Sequence, residues 1–182
     1  VCIDDGSSDG SGAVLDGIDG VAVLHHARRR GYGASLRHAI DGLDHDWVFI
    51  VDADNTYPVE DLPRFIDAAV GCAMVVGNRR GVGMMNTPLR SLARWTLRKL
   101  VWALTGARID DLNSGMRLFR REIFEEFRAH LPDGFSFTTT ITVSSLFRRY
   151  SVRYLDIDYG MRVGVSNIRP VQDFIGFATL IL

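Results

Sequence analysis

The chain has 182 residues, 47% of them apolar and 24% charged, with 21 basic against 22 acidic side chains for a net charge of −1. One domain's length with that composition suits a packed core and excludes a disordered, collagen-like or low-complexity chain. The near-neutral total also excludes a chain built mainly to coat nucleic acid.

In chain order, short β-branched and apolar runs at 1–3, 21–24, 47–51 and 73–76 predict strands. Helical apolar spacing predicts helices over 11–18, 34–43 and 60–70 between them. Near-continuous apolar strands separated by helices predict an α/β fold, with a mostly parallel sheet covered on both faces. A long helix over 88–104 follows, with Pro88 in its first turn. A loop over 108–115, a strand near 116–119 and a helix over 122–130 come next. After a break at 132–134, the pattern gives a helix over 139–149, a strand over 152–158 and a terminal helix from 170.

Charge is unevenly distributed along these elements. Residues 1–67 carry 13 acids and 5 bases, net −8, whereas residues 68–182 carry 9 acids and 16 bases, net +7. The first half suits a cation and the second an anion. Cys2 and Cys72 form no CxxC pair and read as buried thiols of a reducing compartment. No apolar run reaches the ~20 residues that cross a bilayer. The chain opens at Val1 inside a strand-like run and closes on the apolar 174–182, so the expectation is a piece of a longer protein.

Ligands of parallel α/β sheets gather where strands end at their carboxyl side. Two acidic clusters stand there. Asp4-Asp5-Gly6-Ser7-Ser8-Asp9-Gly10 leaves the first strand, and its carboxylates suit a ribose or base; Ser8 or Asp9 also suits a helix cap. Asp52-Ala53-Asp54 follows Trp-Val-Phe-Ile-Val, and two clustered acids are kept ionised by a divalent cation, Mg²⁺ or Mn²⁺. A turn is the plainer use of the same residues.

Gly31-Tyr32-Gly33 before a helix lets backbone N–H groups approach an anion, though close packing explains it equally well. Arg79 and Arg80 end a strand, Arg117 ends the loop that starts at Asp110, and Arg162 and Arg169 lie in a Gly/Ser loop. Guanidiniums of this kind suit phosphate. Arg90, Arg94 and Arg98 form one stripe of the long helix, with Trp95 and Trp102 among its apolar residues. Such a helix suits an anionic lipid surface or a core with a solvated basic face. The five histidines have no metal-binding spacing and receive no role.

Read together, IDDGSSDGS, RRGYGASLRHAI, VDADNTYPVEDLP, VVGNRR, DLNSGMRLFRREI, DGFSFTTTITV and YGMRVGVSNIRPVQD resemble the family 2 inverting glycosyltransferases of GT-A fold. The branch is similar to the dolichol-phosphate mannosyltransferases and bacterial polyprenyl-phosphate sugar transferases. The resemblance implies that Asp5, Gly31, Gly33 and Asp52 serve the nucleotide and that Asp52 and Asp54 hold the metal. Asp52, Asp54 and Arg117 would be catalytic, and Arg79, Arg90, Arg117, Arg162 and Ser166 would meet phosphates of donor or acceptor. It implies a catalytic domain over 1–169, and 170–182 begins an amphipathic or membrane-associated helix.

The family's opening strand with Pro-x-Tyr-Asn-Glu is absent, and Thr56 stands where relatives often carry Gln. The implied reaction moves a sugar from a GDP- or UDP-linked donor to a polyprenyl phosphate at the cytoplasmic membrane face. A lipid phosphate is already anionic, so the reaction asks for a metal and arginines rather than a histidine base. Three other readings stand beside it. Asp110 or Asp111 would serve as base toward a sugar or protein hydroxyl. Asp52 would be the nucleophile of a haloacid-dehalogenase-type phosphatase, since VFIVDADNT looks like that family's Asp-x-Asp-x-Thr strand. A non-catalytic module of the same fold is the third.

Overall fold

The computed structural model describes residues 1–80 and 88–161, with backbone only at 88–94, 97 and 100. Strand β1 (Cys2–Asp4) pairs in parallel with β2 (Val23–His25), and helix α1 (Ser11–Asp16) lies between them in sequence. Helix α2 (Tyr32–Asp41) precedes β3 (Trp47–Ile50). A 3-10 turn (Val59–Asp61) leads into α3 (Leu62–Ala68), which has Pro63 in its first turn. Then come β4 (Met74–Arg80), α4 (Pro88–Thr105), β5 (Arg117–Arg120) and α5 (Arg121–Phe127). A second 3-10 turn (Arg128–His130), α6 (Phe137–Phe147) and β6 (Val152–Asp158) complete the described chain.

The larger sheet has the order β3-β5-β4-β6. The expectation of a mostly parallel sheet needs one refinement: β5 runs against both β3 and β4, while β4 and β6 are parallel. Thus β3, β4 and β6 share one direction. Strand β4 is also longer than its apolar run predicts. It continues through Gly77-Asn78-Arg79-Arg80 because β6 pairs with it up to Arg80↔Asp158, and Asn78 Nδ2 donates to Asp156 Oδ1 at 2.6 Å.

Side chains alternate across this sheet as a pleated strand requires. Val48, Ile50, Met74, Val76 and Phe119 pack against Ile40 of α2, Ile123 and Phe124 of α5, and Phe137 and Ile141 of α6. On the opposite face Phe49, Val75, Leu118 and Ile157 meet Phe65 of α3. Helices therefore cover both faces, as predicted. Helix α6 is buried nearly all round, and two of its hydroxyls bond back within the helix: Thr142 Oγ1 donates to the Thr138 carbonyl at 2.8 Å, and Ser145 Oγ to that of Ile141 at 2.6 Å, while Thr139 Oγ1 donates to Asn113 Oδ1 at 2.6 Å. Val101 anchors α4 among Ile109, Leu112, Val143 and Leu146. The terminal helix and the division at 169/170 lie outside the described residues.

Candidate functional site

The shared direction of β3, β4 and β6 brings their carboxyl ends to one edge. Because β5 is reversed, its amino end arrives at the same edge, with Arg117 paired to Ile50 and to Val76. Two backbone bonds tie the converging loops: Gly160 N–H donates to the Thr56 carbonyl and Tyr159 N–H to that of Arg80, at 2.9 and 2.8 Å.

Asp52 and Asp54 follow β3 at this edge, beside the amino end of β5. Asp52 is half-buried, and the Tyr32 phenol approaches it from the first turn of α2, near enough for the Asp52 charge to act on it. Burial, then the Asp52 charge, push the Tyr32 phenol well above its ordinary range. The carboxylate rests against the α-carbon of Gly115, where a Cβ would stand 2.3 Å from Oδ2. Gly115 is fixed in turn by its N–H, which donates to Tyr57 Oη at 2.7 Å. Burial raises the Tyr57 phenol to about 12, with Asp52 adding to the shift against the opposing Arg79 charge. Asp54 uses Oδ1 to accept the Thr56 N–H at 3.3 Å and the Thr56 hydroxyl, a turn in which Asn55 takes a φ of 59°.

Both carboxylates are hard oxygen donors, and among the described residues no third His, Cys, Asp or Glu joins them in a metal-binding group. A two-carboxylate set fits Mg²⁺ or Mn²⁺, which takes its other ligands from substrate phosphates and water. Sequence reasoning missed Tyr32, Tyr57 and Gly115 as the residues that seat Asp52. The available signal was a tyrosine next to a glycine or proline in each loop expected at the strand ends.

Arg117 and Arg79 are both held by groups of the chain itself. Arg117 is 0% exposed, and its five N–H groups are all used: Nε to the Ser114 carbonyl, Nη1 to Thr138 O and Thr142 Oγ1, and Nη2 to Leu112 O and Ser114 O. Burial pulls its guanidinium below the ordinary arginine value. It braces the 112–114 loop against α6 instead of presenting a charge to a ligand. Arg79 makes a forked pair with Asp111, Nε to Oδ2 at 2.7 Å and Nη2 to Oδ1 at 2.9 Å, and stacks on Tyr159. Burial alone would lower the Arg79 guanidinium, but Asp111 outweighs it and holds the value raised. Arg90 lies on α4 with only its backbone described, and Arg162 and Ser166 lie outside the described residues.

Asp5 is similarly engaged within the chain. Its Oδ1 accepts the Arg30 N–H and its Oδ2 the Gly31 N–H, both at 2.8 Å. Burial works to raise its carboxyl, and the bonds from His26, Arg30 and Gly31 overcome that and lower it. Gly31 (φ 104°) and Gly33 are glycines for close packing: a Cβ would meet Asp133 O at 2.7 Å and Pro132 O at 2.0 Å respectively. Asp9 Oδ1 accepts from Ser11 N at 3.0 Å ahead of α1, a local turn use.

A family model described as "Glycosyl transferase family 2" matches residues 1–128, where the Asp5 turn, Asp52, Asp54, Arg79 and Arg117 all lie. The chain belongs to glycosyl transferase family 2. This membership removes the dehalogenase-type phosphatase reading of Asp52. The family 2 chain is 30% identical over 187 residues to the polyprenol monophosphomannose synthase of Mycolicibacterium smegmatis, covering 91% of this chain and 68% of that protein. It is 30% identical over 172 residues to the dolichyl-phosphate hexose transferase of Haloferax volcanii, covering 93% and 73%.

Among solved structures, glucosyl-3-phosphoglycerate synthase of Mycobacterium tuberculosis, in complex with Mn²⁺, UDP-glucose and phosphoglyceric acid, superposes with a TM-score of 0.69. At 19% identity, over 98% of this chain and 66% of that one, the likeness is one of GT-A fold. The family 2 chain thus spans about two thirds of the length of these proteins.

Proposed function

We propose that this glycosyltransferase moves a hexose from a nucleotide sugar to a polyprenyl phosphate, with a divalent cation held by Asp52 and Asp54. The observation that carries the reading is the seating of Asp52, with Asp54 two residues on, at the edge where the carboxyl ends of β3, β4 and β6 meet the amino end of β5, in a chain whose relatives are named for lipid-phosphate sugar transfer. When bound, the cation would supply positive charge to the leaving diphosphate. The acceptor's phosphate oxygen attacks the anomeric carbon as the bond to the diphosphate breaks, and the nucleoside diphosphate leaves with the electron pair. An anionic acceptor needs no proton removed, so the phenols of Tyr32 and Tyr57, both raised, orient Asp52 without acting as bases. Arg79, Arg90, Arg162 and Ser166 are the proposed phosphate-side groups, and Arg117 supports them from behind.

Transfer to a sugar or protein hydroxyl would call for a carboxylate base from the 110–115 loop. Asp111 gives both oxygens to Arg79, and Asp110 faces Arg98 at 3.6 Å and Arg108 at 3.2 Å. That pairing favours the phosphate acceptor.

The proposed membrane contact is α4. Opposite buried Val101 it exposes Trp95 and Trp102, 58% and 56% accessible, with Lys99 Nζ 5.9 and 5.8 Å from the two ring centres. Tryptophan beside lysine suits the headgroup layer of a bilayer. Among the described residues no helix is long and apolar enough to cross a membrane. The experiment is transfer of labelled hexose from UDP- and GDP-sugars to polyprenyl phosphate by the full-length protein with Mg²⁺ or Mn²⁺. Asp54→Ala is expected to abolish transfer, and undiminished transfer in that variant would remove the metal assignment.

A further inference from the structure

The histidine pair after β2 is left over by this site, and the sequence pattern gave it no chemistry. His26 is buried, its side chain 3% exposed. Its Nδ1 lies 2.8 Å from Asp5 Oδ1, and its Nε2 lies 2.9 Å from His38 Nδ1 on α2. A carboxylate only accepts, so His26 Nδ1 carries its hydrogen and donates. With the shared hydrogen on His38 Nδ1, His26 accepts at Nε2 and a lone pair is left on His38 Nε2.

His38 is exposed and lines an open pocket of about 400 Å³. The charged groups around it are Arg30 from the turn before α2, Arg37 and Asp41 from α2 itself, and Arg128 from the 3-10 turn after α5. Arg37 is paired with Asp133, and Arg128 spans both oxygens of Asp41 at 2.8 and 2.6 Å. His25 belongs to a separate network, with its nitrogens on Asp4 and Asp16. A proton accepted at His38 Nε2 keeps every bond of the chain and places a positive charge in line with Asp5. At its inner end the same Asp5 holds the Arg30 and Gly31 N–H groups. The next residue is Tyr32, whose phenol feels the Asp52 charge.

We propose that His26 and His38 are positioning residues. With Asp5 they form a proton-linked strut from the pocket to the Arg30–Gly31 turn, and the protonation of His38 sets that turn and its hold on the donor nucleotide. The strut itself stands on geometry; its effect on the donor rests on the function proposed above.

Two readouts separate the two. Backbone amide resonances of Arg30 and Gly31 are followed from about pH 5 to 8, the range over which imidazoles titrate, in the full-length protein. Binding of UDP and GDP is measured by calorimetry over the same range. Both amides are expected to move in step with the His38 ring protons, and nucleotide affinity to change with the same midpoint. In His38→Gln both dependences disappear while the melting temperature is kept. His26→Ala loses about tenfold in nucleotide affinity, the scale of one charge-assisted hydrogen bond, and His26→Asn, which retains a donor toward Asp5, recovers part of it. Amides that ignore pH, or that still titrate in His38→Gln, overturn the strut. Amides that follow His38 in a protein binding neither nucleotide uphold the strut and refute the donor reading.

Discussion

Replacing Gly115 by alanine separates the seating of Asp52 from the stability of the fold. The glycine's backbone lies outside the left-handed region, so alanine adds no dihedral strain, and the three atoms nearest the added Cβ all belong to the Asp52 carboxylate. The ideal Cβ stands 2.3 Å from Oδ2, 2.5 Å from Cγ and 2.6 Å from Oδ1, against ordinary contacts that begin at 3.4 Å. The carboxylate must therefore retreat by about 1 Å, a displacement that costs about 10²-fold in rate when it falls on a reacting constellation. A short side chain can make that retreat by rotating, so the melting temperature should fall by only a few degrees, the equivalent of about 1 kcal/mol or less. The assay is hexose transfer to polyprenyl phosphate at saturating donor, alongside calorimetric titration of Mn²⁺ with UDP. Gly115→Ala introduced into Asp52→Ala serves as the control, because the carboxylate that stands nearest the new Cβ is then gone and the stability loss should shrink. Wild-type transfer and metal binding in Gly115→Ala would refute the reasoning. So would an equal stability loss in both backgrounds.

Tyr57→Phe removes the acceptor of the buried Gly115 N–H, and chemical denaturation should report a loss of about 1–3 kcal/mol together with weaker Mn²⁺ binding. Arg117→Met takes the guanidinium donors from the carbonyls of Leu112 and Ser114, and is expected to cost about 3–5 kcal/mol, with Arg117→Lys recovering little because a single ammonium cannot reach the same acceptors. If Arg117 acted only on a phosphate, denaturation midpoints would not move. The β1–β2 pair should be most protected from amide exchange between about pH 4 and 6.5. Asp4, lowered to about 2 by Ser7 and His25, contributes stability that is lost as pH falls below the ordinary carboxylate range. His25, raised by Asp16 and Asp4, contributes stability that is lost as pH rises through its folded value. Trp95→Ala with Trp102→Ala should lower sedimentation with vesicles of anionic phospholipid at least several-fold while leaving the melting temperature intact, since both rings are exposed.

What could be read from the sequence was what depends on local pattern. The apolar run ending at Val51 fixed β3 and placed Asp52 and Asp54 at its carboxyl end, and helical spacing found α2, α3 and α4 within a few residues. The direction of β5 was not legible, because a four-residue apolar strand has the same pattern whichever way it runs. That reversal is what carries Gly115 to Asp52. Arg117 was misjudged for a related reason. At the end of a polar loop it resembles a solvated arginine, and its burial is decided by Thr138 and Thr142, more than twenty residues later. The threonine run within an apolar helix was the available sign that something polar must face it. The Gly31/Gly33 pair supported an anion cradle and close packing alike, and only the position of Pro132 and Asp133 selects packing. His26 carried no sequence signal, since the partners that give it meaning, Asp5 and His38, come from separate elements.

The five-bonded Arg117 also bears on where this protein can be divided. The family match stops at residue 128, yet two of the guanidinium's acceptors belong to α6, which begins at Phe137. A chimaera spliced at the edge of the matched region would inherit the cation and leave behind part of what neutral oxygen solvates it. Helix α6 thus functions as an internal solvent for a charge encoded in the family region, and the two must be transplanted, or evolve, as one unit.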